Sequence, residues 1–292
     1  MTFNDDARIN SSKVKRRGRT TGVAAGGGIV GIIAIFVISQ LTGFDLSQFV
    51  GSGEPTGPDQ TVAECDNISG AEANETVQCR MAGASLAIDE YWAEELPTLG
   101  VDYESPEFVL FTASTSTGCG NATSATGPFY CPSDKTIYVD TDFYEELTTR
   151  FGANGGPLAE MYVLAHEWGH HIQNISGIMN GLDFQTTGPS SDGVRLELQA
   201  DCFAGAWVRS ATESKDENGV SYLEPVTDQD IADALSAASA VGDDRIQEST
   251  QGQVNPETWT HGASEQRQDW FNTGRASGAD ACNTFEVAAG QL

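Results

Sequence analysis

The residues with the clearest chemical potential are His166-Glu167-Trp168-Gly169-His170, an HExxH spacing, and Glu197-Leu198-Gln199-Ala200-Asp201 further along the chain. On a helix, residues four apart share a face, so His166 and His170 present two imidazoles to one metal ion while Glu167 projects beside it. A catalytic zinc ion needs a third protein ligand and an open position for water. Glu197, on a second helix, is the candidate ligand. The chemistry of such a set is hydrolysis, with the metal polarising the bond under attack and Glu167 moving the proton of water.

The neighbouring residues narrow the choice. After His170 the chain reads His171-Ile172-Gln173-Asn174-Ile175-Ser176, without the Gly and third His that a metzincin requires. His171 is turned about 100° from His170 around a helix, so it is read as structural. His261 is the one His outside this segment. It precedes a helix, and its candidate role is to donate to the oxygen that gains negative charge during hydrolysis; Arg267 and Tyr138 are alternatives, and a local hydrogen bond at the helix entry is the competing role. Asp243-Asp244 reads as a solvated helix end, with a calcium site as the alternative.

The elements that position these residues follow from periodicity and breakers. Pro157 opens an apolar, breaker-free run, so Leu158 to Ser176 is predicted helical. Val77 to Leu96, Phe143 to Phe151, Val194 to Ala211, Asp228 to Val241 and Ser264 to Thr273 also fit helical spacing, while Phe108 to Phe111 and Thr136 to Val139 read as short strands. The class is α+β, mostly helical. Thr136 to Asp140 is the candidate for a strand whose free edge aligns an extended substrate.

The amino-terminal part differs in character. Six of the 15 Lys and Arg lie in the first 19 residues, ahead of a charge-free run from Gly22 to Leu41. Twenty helical residues rise about 30 Å, enough to cross a bilayer, and the positive-inside rule then keeps residues 1–21 as a cytoplasmic basic tail, with a cleaved signal peptide as the runner-up. Residues 42–64, rich in Gly, Pro and Ser, read as a flexible linker, and residues 65–292 as one extracytoplasmic domain of ordinary size. Beyond Leu41, nine bases face 40 acids, which excludes nucleic acid as a partner. Six Cys form an even set without CxxC spacing. Cys65 with Cys79, Cys119 with Cys131, and Cys202 with Cys282 is the natural grouping, although fifteen connectivities are open, and disulfides imply an oxidising space.

Met1 to Arg8, the apolar run, Gly127-Pro128-Phe129-Tyr130-Cys131-Pro132, His166 to Gln173, Glu197 to Gly205 and His261 to Arg267 together resemble the predicted neutral zinc metallopeptidase family of bacterial single-pass membrane proteins. The ExxAD pattern is similar to that of gluzincins, which implies that Asp201, one turn after Glu197, holds the far ring nitrogen of His166 or, failing that, of His170, fixing the tautomer and raising the basicity of the ligand. The resemblance implies a zincin-like fold, one zinc ion at His166, His170 and Glu197, Glu167 as catalytic acid and base, a polypeptide substrate, and a cell-membrane protein whose catalytic domain lies outside the cytoplasm. The alternative is a non-catalytic, zinc-containing envelope protein used for binding or assembly.

Overall fold

The computed structural model describes residues 1–10, 14–17 and 60–292. Nine strands are present among them: β1 (Arg8–Asn10), β2 (Val14–Arg17), β3 (Gln60–Thr61), β4 (Asp66–Ser69), β5 (Glu107–Phe111), β6 (Ser114–Thr117), β7 (Gly120–Thr123), β8 (Phe129–Cys131) and β9 (Thr136–Asp140). The helices are α1 (Gly70–Ala73), α2 (Val77–Thr98), α3 (Phe143–Thr149), α4 (Pro157–Ile175), α5 (Asp192–Ser210), α6 (Asp228–Ala240), α7 (Asp243–Gln251) and α8 (Ser264–Ser277). The molecule is mixed α and β, with small sheets beside a larger helical body.

The main sheet runs β3-β2-β5-β9-β8. Strands β2, β5 and β9 are parallel, and β3 and β8 are antiparallel to their neighbours. Side chains alternate across a strand, and the two faces go to different clusters. Phe108, Leu110, Ile137, Val139 and Tyr130 join the main core with the helices. Val109, Phe111, Phe129, Cys131 and Tyr138 form a second cluster that also contains Cys119 and Ala122 of the β6–β7 region.

The helices that carry the site are fixed by local signals and by close packing. Pro157 occupies the first turn of α4, where its missing N–H costs nothing, and the Ser191 hydroxyl caps α5 by accepting from the Val194 N–H at 3.3 Å. At Gly169 the backbone of α4 approaches Ala200 of α5 so closely that a Cβ would lie 3.0 Å from the Ala200 Cα. A larger residue there would push the two site helices apart. Disulfides join Cys65 to Cys79, Cys119 to Cys131 and Cys202 to Cys282, the last tying α5 to the carboxy-terminal segment.

Three expectations are corrected. Of the expected cytoplasmic tail 1–21, the described residues 1–10 and 14–17 are part of the domain: β1 pairs with β4, β2 lies inside the main sheet, and Phe3, Ala7, Ile9 and Val14 are buried. The predicted linker 42–64 ends inside the fold, because Gln60–Thr61 is β3 and Val62 is buried. Thr136–Asp140 has no free edge, since β5 and β8 flank it; among the described residues β8 is the outer strand on that side. The apolar run 22–41 lies outside the described residues, and among those described no helix is long and apolar enough to cross a membrane.

Candidate metal centre and catalytic cleft

Helix α4 brings His166 and His170 one turn apart, and α5 brings Glu197 across from them. His166 Nε2 lies 3.2 Å from one Glu197 oxygen and His170 Nε2 lies 3.4 Å from the other. One ligand atom from each residue falls within 4.8 Å of the others, and all three residues are buried. Two imidazole nitrogens and a carboxylate around a common point suit zinc, and the residues present fit that ion. Burial alone would disfavour charge on Glu197, but the imidazoles of His170, His261 and His166 hold its carboxyl well below the usual range.

The far nitrogens of both imidazoles are held. His166 Nδ1 meets Asp201 Oδ1 at 2.8 Å, and the Tyr162 hydroxyl donates to the same oxygen. Arg267 completes the arrangement with Nε 2.7 Å from Asp201 Oδ2 and a second nitrogen 3.0 Å from Oδ1. Asp201 is fully buried, which raises its pKa, yet the Arg267 guanidinium and His166 overcome this and keep it ionised. Burial lowers the proton affinity of His166, and Asp201 more than reverses this, pushing its pKa up to about 10. The same pull makes Nε2 a stronger metal ligand. His170 Nδ1 donates to Gln173 Oε1 at 2.8 Å, and the Gln173 amide donates to the Leu196 carbonyl at 2.7 Å. The second His is thus tied to the other site helix.

Glu167 is buried beside this group, and burial raises its pKa. The backbone N–H of Tyr130, on the outer strand β8, donates to its carboxylate. His261, Glu167, Tyr130, Phe143 and Val163 line one cavity together with the three metal-binding candidates. Asp243 accepts the backbone N–H groups of Thr260, His261 and Gly262 at 2.7, 2.7 and 3.0 Å, and its other oxygen lies 3.5 Å from His261 Nδ1. The Thr260 hydroxyl also reaches Nδ1, at 2.8 Å. Burial lowers the pKa of His261, and the Glu197 and Asp243 charges reverse this to raise it.

The remaining candidates fall elsewhere. Asp243 is buried and Asp244 half-buried, so the pair is not a solvated helix end; both carboxylates hold backbone, Asp244 accepting the Ser264 N–H at 2.7 Å. Arg267 reaches the cavity wall but is committed to Asp201. Tyr138 donates to Asp134 at 2.8 Å and stacks on Phe129 away from the cavity. His171 sits between the Tyr130 hydroxyl at 3.1 Å and the Glu104 carbonyl at 2.6 Å; burial pushes its pKa down to about 4, so it is a neutral strut. Gln173 and Asp243 emerge only from the structure. Gln173 carried a weak sign, its position three residues after His170 on one helix; Asp243 stands 18 positions from His261 with no local pattern to connect them.

A comparison with protein families bears directly on this geometry. The family described as "Putative neutral zinc metallopeptidase" matches residues 3–285. The chain belongs to this family. Similar members include an uncharacterized protein of Mycobacterium tuberculosis, Rv2575, 52% identical over 222 residues that cover 75% of this chain and 74% of that one. The Escherichia coli K12 protein YpfJ, also uncharacterized, is 37% identical over 288 residues, 96% of this chain and 94% of its own. No solved structure matches. In this member of the family, His166, His170 and Glu197 converge on one point.

Proposed function

We propose that the protein is a zinc-dependent endopeptidase that acts on polypeptides in an oxidising space outside the cytoplasm. The observation that carries this reading is the convergence of His166, His170 and Glu197 in a cleft that also exposes Glu167. Zinc held by those three residues supplies a Lewis acid that polarises a carbonyl and lowers the pKa of water. Glu167, with its proton affinity raised by burial, takes the proton of the attacking water and returns it to the leaving nitrogen. His261, with Nδ1 held by Thr260 and Asp243, offers Nε2–H to the carbonyl oxygen as negative charge builds there.

The substrate reading rests on the cleft walls. Strand β8 is the outer strand of the sheet, and Gly127, Pro128 and Tyr130 line the cavity, so an extended polypeptide can pair with this edge. Phe143, Phe151 and Val163 give the wall an apolar surface for a side chain. Arg267 is the one Lys or Arg among the described lining residues, and Asp201 occupies it, which leaves no such cation for a terminal carboxylate and favours internal bonds. Three disulfides support an oxidising compartment. A general base beside the metal has no use in a purely binding protein.

The test is cleavage of a diverse peptide library by the purified full-length chain, wild type beside Glu167→Gln. Cleavage by wild type that a chelator and the substitution both abolish supports the reading. Folded, zinc-loaded wild type that cuts nothing would sink it.

A further inference from the structure

We infer that residues 1–10 and 14–17 share one side of any membrane with the catalytic cleft. The inference is independent of catalysis and rests on how the amino-terminal segment is built into the domain.

Its contacts reach three distant parts of the chain. Asn74 brackets the Phe3 backbone, accepting its N–H at 2.9 Å and donating to its carbonyl at 3.0 Å. The Arg8 N–H donates to Asp216 at 2.9 Å, and the Asn4 N–H donates to the Tyr222 carbonyl at 2.9 Å. The Phe3 ring and Ile9 are buried in the main core. Two glycines on the receiving side are shaped to this segment. A Cβ on Gly83, in the middle of α2, would lie 2.7 Å from the Phe3 ring, and one on Gly70 would lie 1.9 Å from the Asn4 carbonyl oxygen. A glycine inside a helix is disfavoured unless something needs the space, and here Phe3 fills it.

Of the basic residues that suggest a cytoplasmic anchor, the described Lys15, Arg16 and Arg17 have partners in the same domain. Lys15 pairs with Glu107 at 2.5 Å, Arg16 with Glu64 at 2.5 Å, and Arg17 donates to the Ser116 carbonyl at 2.8 Å. Their charge answers to neighbouring acids as well as to any lipid surface, which removes the reason to place them across the membrane.

Topology closes the argument. The chain leaves the main sheet after Arg17 in β2 and rejoins it at Gln60 in β3, and these strands are adjacent, with Arg16 opposite Gln60. Adjacent strands are about 5 Å apart. A single crossing separates its two flanks by about 30 Å of hydrocarbon. Arg17, one residue from a paired position, and Gln60, at one, therefore lie on the same side of any membrane.

The experiment uses the full-length chain in intact bacterial cells and exploits the absence of free Cys among the described residues. Asp5→Cys or Asp6→Cys marks the exposed turn of the amino-terminal segment, and Glu217→Cys marks an exposed loop of the domain. Each variant is treated with a membrane-impermeant maleimide before and after lysis, with zinc content as the check on folding. The expected result is matched behaviour: the amino-terminal and domain positions both label in intact cells, or both only after lysis. Labelling of Glu217→Cys in intact cells with Asp5→Cys and Asp6→Cys shielded until lysis, or the reverse, overturns the inference.

Discussion

His170 turns its Nδ1 onto the side-chain oxygen of Gln173, 2.8 Å away and one turn along the same helix. Gln173 in turn donates to the Leu196 carbonyl at 2.7 Å and to Gln199 at 3.2 Å, so a single amide connects the imidazole of a candidate metal ligand to the helix that carries Glu197. Replacing it removes the hold on the ring and leaves a buried carbonyl without its donor. Gln173→Leu is expected to weaken zinc binding by roughly 10- to 100-fold, measured by competition with a chromophoric chelator. Unchanged affinity would assign Gln173 to packing alone.

Glu167, the proposed proton carrier, is not one of the three converging metal-ligand candidates. Glu167→Gln should therefore keep a stoichiometric zinc ion while turnover falls by about 10²- to 10⁴-fold. Metal analysis and peptide cleavage on the same preparation check both halves.

His261 and Asp243 form a pair whose roles separate experimentally. His261→Ala is expected to reduce kcat by about 10²-fold with zinc affinity unchanged. Asp243→Ala strips the acceptor from three consecutive backbone N–H groups, so it should lower both kcat and thermal stability. Equal loss of zinc affinity and turnover in His261→Ala would mark a structural residue.

Asp216 makes the docking of the amino-terminal segment sensitive to acid. Partial burial raises its pKa, but hydrogen bonds from the Val220, Arg8 and Asn218 backbones outweigh this and set it below the ordinary 3.8. With the folded pKa below the unfolded one, the unfolded chain binds more protons on the acid side. Stability from this group is complete above the unfolded pKa and is lost as pH falls through the folded one. Melting curves from neutral pH to below pH 4 should show this loss in wild type and a smaller one in Asp216→Asn. Parallel profiles would contradict it.

The disulfides should differ in effect according to the loop each closes. Cys202–Cys282 spans 80 residues and Cys119–Cys131 spans 12. The chain-entropy relation assigns about 4.5 kcal/mol to the first and about 3 kcal/mol to the second. Replacing Cys202 and Cys282 together by Ala should lower the Tm more than replacing Cys119 and Cys131. The opposite ranking would show that native-state contacts, rather than loop closure, dominate.

Much of the site was legible in the sequence because its information is local. The HExxH and ExxAD spacings are statements about single helices, and a period of 3.6 residues fixes which side chains share a face whatever surrounds them. Helices α2, α4, α5, α6 and α8 were equally visible, since each buries a regular stripe. Helix α7 was not: Asp243 to Gln251 is mostly polar, with Ile246 its one buried aliphatic side chain. Strand β2 was hidden for a related reason. Val-Lys-Arg-Arg contains one apolar residue, and its bases read as a membrane signal until their acidic partners are seen.

The sequence by itself determined the donor atoms, the helices that bear them, the acidic character of the domain and the even set of cysteines. Only the tertiary structure decided which carboxylate holds which imidazole, that Gln173 serves His170, that Asp243 fastens the His261 loop, and that β8 rather than β9 is the outer strand. It also decided that residues 1–10 and 14–17 pack into the same domain as the candidate site. Apart from Gln173, three residues from His170, the side-chain partners lie from 18 to more than 200 positions apart, such as His261 with Asp243 and Arg8 with Asp216. Periodicity reports which way a side chain faces within its own element, whereas the partner it meets is set by chain topology and close packing.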